Sequence, residues 1–403
     1  MEDEAVVSQP IVLDNGSGTI KAGFAGENSP KVCFPSYVGV PKHIGVMAGC
    51  IQNDERVIGN RAQSLRGLLA LNYPIEHGIV KNWTDMEKIW ANVYQELQIN
   101  SEDHPMLLTE PPLNPISNRE TASEILFETF NVPALFISLH SVLSLYANGM
   151  MTGVVLDCGD GVSYSVPIYE GFAIQSSIQR VDLAGRDITS QLQLLLRKSG
   201  YSLFTTSAEF DIVKDIKEKH CYVAYDPTKE EEAFLELNRH INPDVLKLRA
   251  STPSSIDYSK NSLSVHYQLP DHQILELKSE LFRAPEILFQ PHLLGLETPG
   301  LHHLLYHSVS KCDIDLRKGL YSSIVLAGGS TLLSGFADRL LKETHAISPK
   351  NMKIRIYAPE QRQFTTWIGG SILAALSSFK DLWVSSQEYS EEGPYILQKK
   401  FFL

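Results

Sequence analysis

Two apolar segments of the chain, Pro10–Asp14 and Gly153–Asp157, are each followed by a glycine-rich turn that could hold phosphate. Glycine lets backbone N–H groups come close to phosphate oxygens. The expected phosphate ligands are Gly16, Ser17 and Gly18 with Lys21 as a point charge in the first turn, and Gly159, Asp160, Gly161 and Val162 in the second. Asp14 and Asp157 end the two strands, where each would face a magnesium ion through its retained waters. One such turn alone is typical of an ordinary hairpin, but two matching turns favour phosphate binding.

A third glycine-rich segment follows the apolar run Ile324–Ala327. It consists of Gly328, Gly329 and Ser330, and a helix is predicted over Thr331–Thr344. The N-terminus of that helix would suit a ribose–phosphate group.

The elements around the turns indicate an internal duplication. After each turn the chain returns in an extended segment, Ile20–Ala25 in the first case and Ser163–Tyr169 in the second. This strand–turn–strand unit, used twice, predicts two domains of related architecture that each give one loop to a shared cleft.

Helices are predicted where apolar residues recur at the spacing of one helical face. The predicted helices are Trp83–Leu97, Asn118–Phe130 with Asn118 as N-cap, and Ser207–Tyr222. Pro227–Lys260 contains a glutamate run and a Ser/Thr/Pro tract, which is typical of a surface insertion, here with one short helix over Glu230–His240.

The composition is that of an ordinary globular protein with about two to three domains, given 403 residues, 43% hydrophobic and 20% charged. A net charge of −12 argues against broad nucleic-acid binding. The five cysteines are scattered without metal or redox spacing, which indicates reduced thiols. The acidic N-terminus lacks the pattern of a secretory signal and no apolar run is long enough to cross a membrane, so we expect a cytoplasmic or nuclear protein.

Several sequence segments besides the turns, which follow one another along the chain in a known order, resemble a known family. They are Lys21–Gly26, Tyr73–Val80, Leu107–Glu110, Asp182–Asp187, Lys217–Lys219 and Trp367–Leu373. From about residue 10 to its end the chain resembles the actin family. The resemblance implies the α/β actin-like ATPase superfold, with two duplicated lobes and four subdomains around a cleft that binds ATP or ADP with Mg²⁺ or Ca²⁺. It also places Gly185, Lys214, Lys217 and Glu218, with the Gly328–Ser330 segment, near the nucleoside.

The resemblance also implies subdomain boundaries. Subdomain 1 would comprise residues 1–35, 73–147 and 365–403, and subdomain 2 residues 36–72. Subdomain 3 would comprise residues 148–183 and 297–364, and subdomain 4 residues 184–296 with the insertion at about 228–260.

Within the family, two segments are similar to centractin, the actin-related filament subunit of dynactin, namely Tyr37–His43 and Phe130–Phe136. Lys311–Arg317 is closer to conventional actin. This likeness implies a cytoplasmic, cytoskeletal protein that self-associates head to tail and meets filament cappers and dynactin-like subunits, with no direct nucleic-acid partner and no membrane insertion.

The chain departs from the family at the residues that handle the attacking water. His140 stands where actins have a glutamine, and Tyr164 where they have a histidine. Two interpretations stay open: His140 takes over both roles and slow hydrolysis survives, or ATP is chiefly a structural ligand, which we favour because positioning is most of phosphoryl-transfer catalysis. Asp157 belongs to the same impaired group. Cys158, where a serine is usual, either removes a donor from the second loop or is simply a small buried residue.

Positions that match the family's partner cleft are Tyr146, Ala147, Gly149, Tyr169, Ile372, Leu373 and Leu376. Ile372, Leu373 and Leu376 are predicted on one helical face, a pattern that is also typical of plain core. The segment His43–Asn53 resembles the loop that enters the next subunit's cleft, which would give an open, head-to-tail filament.

Three functions are compatible with an actin-like chain. A filament or assembly subunit fits best, and the alternative is a monomeric actin-related scaffold in a larger complex such as a chromatin remodeller. An enzyme of the wider sugar-kinase and chaperone superfold would need a dedicated substrate site, and no segment indicates one.

Overall fold

The computed structural model describes residues 9–42, 56–201, 206–240 and 265–400. It divides into two compact units. The larger unit comprises Met1–Gly185, His303–Leu332 and Ile347–Leu403, and the smaller comprises Arg186–His302 and Leu333–Ala346. The predicted loop His43–Asn53 and the part of the predicted insertion after residue 240 lie outside the described residues.

The described residues form a mixed α/β structure. Its strands are β1 Ile11–Asn15, β2 Thr19–Phe24, β3 Val32–Pro35, β4 Val38–Pro41, β5 Val57–Ile58, β6 Leu69–Asn72, β7 Ile75–Glu76, β8 Ile79–Val80, β9 Met106–Glu110, β10 Ala134–Leu139, β11 Gly153–Cys158, β12 Ser163–Tyr169, β13 Phe172–Ala173, β14 Gln179–Val181, β15 Val265–Gln268, β16 Ile274–Leu277, β17 Ile324–Ala327, β18 Ile356–Tyr357 and β19 Val384–Ser385. Its α-helices are α1 Gly59–Ser64, α2 Trp83–Leu97, α3 Ile116–Glu124, α4 His140–Ala147, α5 Gly185–Lys198, α6 Ser207–His220, α7 Pro227–His240, α8 Glu280–Arg283, α9 Leu301–Ser310, α10 Ile314–Tyr321, α11 Phe336–Ile347, α12 Thr365–Ala375, α13 Ser386–Glu392 and α14 Tyr395–Lys400.

The first large sheet of the larger unit has the order β19-β10-β9-β1-β2-β3. β1 pairs antiparallel with β2 and parallel with β9, and β10 continues the parallel side. All four residues from Ile11 to Asp14 are buried, as expected for a strand covered on both faces.

The second large sheet repeats this arrangement, with the order β13-β12-β11-β17-β18 and β14 also paired to β12. β11 pairs antiparallel with β12 and parallel with β17, as β1 does with β2 and β9. The predicted duplication of the strand–turn–strand unit is therefore confirmed at the level of sheet topology.

Two helices of the larger unit, α4 and α12, pack closely against each other. A Cβ atom on Gly369 of α12 would overlap the carbonyl oxygen of Leu143 of α4, so only glycine fits there. Ser144 and Thr366 share a hydrogen bond of 3.0 Å between their hydroxyls, and Trp367 donates its ring N–H to the carbonyl of Val12 in β1. This packing fixes the start of α4, where His140 lies.

The smaller unit is tied together by a buried guanidinium. Arg339 of α11 makes two hydrogen bonds to Glu286, of 2.9 and 3.0 Å, and one of 2.7 Å to Glu343. It also donates to the carbonyl of Ala224 and lies 4.9 Å from the centre of the Phe289 ring. A buried cation with several carboxylate partners is stable because its charge and donors are satisfied.

Some predicted elements agree with the structure and others do not. The helix Trp83–Leu97 is confirmed in full, with Asn82 as its N-cap. The prediction of Asn118 as an N-cap is wrong, because α3 begins at Ile116 and the N–H of Asn118 already donates to the carbonyl of Pro115. The predicted helix continues past Glu124 only as a π-helical turn, Ile125–Thr129.

The predicted helix Thr331–Thr344 is also wrong in its first part. A 3₁₀ turn covers Gly329–Leu332, and α11 begins only at Phe336. Gly335 separates them with a left-handed backbone, φ +77°, which a continuous α-helix cannot contain. In the predicted insertion, α7 begins at Pro227, three residues before the predicted helix Glu230–His240.

Candidate functional site

The two predicted phosphate turns lie against each other in the larger unit. A Cβ atom on Gly18 would come within 2.7 Å of the Asp160 Cβ, and one on Gly161 within 2.9 Å of the Ser17 Oγ. Real Cβ atoms do not come so close, so the contact requires glycine at both places. The Ser17 hydroxyl also accepts a hydrogen bond of 3.0 Å from the N–H of Gly78.

The third glycine-rich segment meets the second turn. Gly328 has φ +85°, and a Cβ atom there would overlap the Asp157 carboxylate. The Ser330 hydroxyl donates to the carbonyl of Gly159 at 2.6 Å, and the N–H of Gly185 donates to the same carbonyl at 3.1 Å. The second turn therefore adjoins both of the other glycine segments. Val162, the last residue of the second turn, is buried, whereas a Cβ atom on Gly329 would meet open space.

In the first repeat, Asp14 forms an ion pair with Lys21. The two residues are cross-strand partners in β1 and β2, and Nζ lies 2.8 Å from Oδ2. Burial opposes ionisation of Asp14, but the charge of Lys21 and the hydrogen bonds from Lys21 and Thr109 outweigh it, and the pKa of Asp14 is lowered. Burial likewise opposes the charge on Lys21, yet its pKa is raised by Asp14. The first carboxylate is therefore ionised.

In the second repeat, Asp157 faces a phenol instead of a cation. Tyr164 is its cross-strand partner in β11 and β12, and the phenol O–H donates to Oδ2 at 2.9 Å. Burial raises the pKa of Asp157 to about 6, although Tyr164 and Lys21 act to lower it. Burial and the nearby Asp157 carboxylate raise the pKa of Tyr164 well above its usual value.

His140, the first residue of α4, lies between the two repeats. Its Nδ1 is 2.9 Å from the Tyr164 hydroxyl, and its Nε2 is 2.9 Å from the Thr109 hydroxyl. Thr109 in turn donates to Oδ1 of Asp14 at 2.9 Å. Burial and the charge of Lys21 lower the pKa of His140 in spite of Asp14. A continuous hydrogen-bonded chain thus runs from Asp14 to Asp157.

This hydrogen-bonded chain of side chains has more links than there are hydrogens on its members when they are neutral. Its four links need four hydrogens, and Thr109, His140 and Tyr164 carry three when neutral. The pKa values of Asp14 and His140 are lowered while that of Asp157 is raised to about 6. Asp157 is therefore the group that supplies the fourth hydrogen as the pH falls towards its pKa.

The chemical consequence concerns water. Both ring nitrogens of His140 contact protein hydroxyls, and the Tyr164 O–H is donated to a carboxylate. In this arrangement neither side chain presents a free N–H or O–H with which to orient an attacking water.

Cys158 is a fully buried strand residue whose sulfur accepts a hydrogen bond of 3.0 Å from the Ser163 hydroxyl. This geometry favours the second of the two interpretations of Cys158, that of a small buried side chain.

Sequence reasoning missed two features beside the turns. Thr109 is one, and its signal is a polar residue near the end of the buried strand β9, which runs parallel to β1. The other is His77, whose left-handed backbone, φ +48°, brings its Nδ1 to 2.7 Å from the carbonyl of Gly161, while Arg180 donates to the His77 carbonyl at 2.6 Å.

The predicted nucleoside residues Lys214, Lys217 and Glu218 lie on α6 of the smaller unit. Lys217 is buried, Lys214 is half-buried and Glu218 is exposed. Their predicted role stays a prediction.

The predicted partner-cleft residues all lie in the larger unit. Tyr146 and Ala147 end α4, Gly149 follows with φ +67°, and Tyr169 ends β12 with 41% of its surface exposed. Ile372 and Leu373 lie in α12, but Leu376 is placed one residue past its end in extended backbone, so the prediction of one helical face is wrong for it. Ile372 and Leu376 are 46% and 48% exposed, which excludes the plain-core interpretation for both.

The residues fit a nucleotide with a divalent cation. Glycine at the contacts lets the two phosphate turns approach each other closely, and the carboxylates of Asp14 and Asp157 lie in one hydrogen-bonded chain. Within the described ranges, the structure contains no group of three or more His, Cys, Asp or Glu side chains that could hold a metal ion by themselves.

Comparison with known proteins gives the family. The model of the actin family matches residues 6–402. A protein named "Actin-like protein" from Neurospora crassa is 54% identical over 399 residues, covering 99% of both chains. The chain belongs to the actin family, and its fold is the actin fold. Over the part of the chain that the structure describes, no helix is long and apolar enough to span a membrane.

Proposed function

We propose that this protein is an ATP-binding subunit of an actin-family filament or assembly, and that it hydrolyses ATP slowly or not at all. The observation that carries the proposal is the pair of glycine turns in mutual contact, each following a strand whose second-to-last residue is an aspartate. Family membership over nearly the whole chain supports it.

The turns would bind the phosphates through backbone N–H groups of Gly16, Ser17 and Gly18 on one side and Asp160, Gly161 and Val162 on the other. Lys21 is held by Asp14 at 2.8 Å and keeps its positive charge beside the first turn. Gly328, Gly329, Ser330 and Gly185 would border the ribose, together with Lys214, Lys217 and Glu218. A bound Mg²⁺ or Ca²⁺ would neutralise phosphate charge, with Asp14 and Asp157 holding its waters.

Slow hydrolysis follows from the partners of His140 and Tyr164. A water-orienting group must present a donor or acceptor to the water. His140 instead contacts Thr109 and Tyr164, and Tyr164 donates its O–H to Asp157. Binding is separable from catalysis, because the glycine turns do not depend on this pair. ATP would then serve chiefly as a structural ligand.

The assembly role is supported by exposed apolar residues at the positions of the family's partner cleft, Tyr169, Ile372 and Leu376. The proposed interaction is head-to-tail self-association, with filament cappers and dynactin-like subunits as further partners and the cytoplasmic cytoskeleton as the location. The centractin-like segments Tyr37–His43 and Phe130–Phe136 favour this assignment over conventional actin.

The test is a pelleting assay with Mg²⁺ and ATP in which phosphate release is followed in the same sample. The expected result is sedimentable polymer with little phosphate release. The double variant His140→Gln with Tyr164→His, which restores the family's pair, should release phosphate at least about tenfold faster. Tyr94→Phe is the matched control, since among the described residues the Tyr94 hydroxyl makes only a 4.0 Å contact with the sulfur of Met106.

Brisk release by the unaltered protein would contradict the impaired-hydrolysis claim and leave the assembly claim standing. If no polymer forms at any salt concentration, the monomeric scaffold becomes the better interpretation.

A further inference from the structure

Thr109 is the point at which the first phosphate turn and the middle of the hydrogen-bonded chain meet. Its buried hydroxyl accepts the N–H of Asn15 at 3.2 Å and donates to Oδ1 of Asp14 at 2.9 Å. The same oxygen lies 2.9 Å from Nε2 of His140. Because that hydroxyl has one hydrogen and gives it to Asp14, it must accept from His140, which fixes the ring with its hydrogen on Nε2.

Fixing the ring of His140 has an effect in the other repeat. With Nε2 bonded to Thr109, Nδ1 is aimed at the Tyr164 hydroxyl, 2.9 Å away. Tyr164 in turn contacts Asp157. The two aspartates belong to different sheets, and this chain of side chains joins them.

We propose that Thr109 is a positioning residue which, through His140 and Tyr164, holds both strand-end carboxylates in place for the divalent cation that accompanies ATP. The proposal rests on the proposed function, since it assigns the cation site to Asp14 and Asp157. Groups in a buried hydrogen-bonded network depend on one another, and losing one member leaves its neighbours without partners. Cutting the chain at either end should therefore disturb the same site.

A double-mutant cycle between Thr109 and Tyr164 tests the coupling, because the two side chains are joined only through His140 in this chain. Thr109→Val and Tyr164→Phe each remove one buried hydroxyl and keep the shape of the side chain. The measurement is the dissociation constant of full-length protein for Mg²⁺-ATP. Each single variant should bind Mg²⁺-ATP about tenfold more weakly than the unaltered protein. The double variant should also bind about tenfold more weakly, because either substitution alone already interrupts the hydrogen-bonded chain.

A double variant that binds about a hundredfold more weakly would mean independent effects and would overturn the proposal. So would Thr109→Val binding Mg²⁺-ATP as tightly as the unaltered protein while unfolding at a lower denaturant concentration, since that is a purely structural role. Thr109→Ser keeps the hydroxyl and should restore binding. Thr344→Val is the matched control, because the buried Thr344 hydroxyl has no hydrogen-bond partner in the described structure.

The proposed function and this inference fail in different ways. If the unaltered protein does not bind Mg²⁺-ATP, the proposed function fails, and the cycle is then measured as the denaturant midpoint of the nucleotide-free protein. If the denaturant midpoint of the double variant falls by the same amount as that of the less stable single variant, coupling through His140 is supported. Midpoint losses that simply add overturn it.

Discussion

Replacing Gly369 with alanine should loosen the helix contact that fixes His140. A Cβ atom there would lie 2.5 Å from the carbonyl carbon of Leu143 and 3.0 Å from its Cα. Carbon atoms that are not bonded pack at about 3.5–4.0 Å, so α4 and α12 would have to separate by about 1 Å. Overpacking costs about 1–3 kcal/mol, and an overlap in which the new Cβ atom lies 1.8 Å from the Leu143 carbonyl oxygen belongs at the upper end of that range. The cost therefore exceeds the helix propensity of about 1 kcal/mol that alanine has over glycine.

The same displacement reaches the site. His140 begins α4, and its two hydrogen bonds are 2.9 Å long. A shift of His140 by about 1 Å along the direction of either hydrogen bond would stretch one of the two beyond hydrogen-bond range. We therefore expect Gly369→Ala to lower the free energy of unfolding and also to weaken nucleotide retention.

The matched control is Gly319→Ala, the same substitution in the exposed helix α10, where a new Cβ atom would meet nothing within 4 Å. That variant should be stabilised by about 0.5–1 kcal/mol. The assay is unfolding in urea followed by tryptophan fluorescence, with both variants measured beside the unaltered protein. Equal, stabilising shifts for the two variants would refute the packing argument.

Two further predictions concern pH and assembly. Because the pKa of Asp157 is raised from 3.8 to about 6 in the folded protein, its contribution is fully present below about pH 4 and is lost as the pH rises to about 6. The free energy of unfolding of the nucleotide-free protein should fall by about 3 kcal/mol over this range. The urea midpoint of the unaltered protein should therefore fall relative to that of Asp157→Asn as the pH rises, and parallel plots of midpoint against pH for the two proteins would contradict the prediction. Ile372→Asp should abolish pelleting without lowering the melting temperature, whereas Leu235→Asp, at an equal exposure of 46%, should leave pelleting intact. Loss of pelleting in both variants would point to net charge and not to a specific surface.

The parts of the fold that the sequence predicts well are those determined by local pattern. The helix Trp83–Leu97 follows from its apolar spacing, and the strands before each glycine turn follow from apolar runs that end in aspartate. The errors arise where a backbone conformation or a neighbour outside the segment decides. Gly335 interrupts a helical pattern because its backbone is left-handed, and a Cβ atom there would overlap the carbonyl oxygen of Val223.

The sequence predicts the glycine turns of the site but not the side-chain contacts that connect them. Thr109 is 95 residues from Asp14 along the chain, and their contact exists because β9 lies parallel beside β1. A single sequence contains no periodicity that reports which strands are neighbours in a sheet. His140 and Tyr164 were identified as departures from the family, yet their hydrogen bond to each other depends on how α4 meets β12.

The sequence does predict which residue faces each aspartate of the site, because the spacing between the two residues is the same in both repeats. Asp14 and Lys21 are seven residues apart, as are Asp157 and Tyr164, and each pair is in cross-strand register. Since the two hairpins have the same length, the duplication alone predicts that Tyr164 faces Asp157 as Lys21 faces Asp14. The repeats therefore differ in charge at equivalent positions: a lysine keeps the first carboxylate ionised, whereas a phenol leaves the second with a raised pKa. A cation held by both would meet one carboxylate that stays charged and one that becomes protonated as the pH falls towards about 6, so the second repeat is where pH acts on this site.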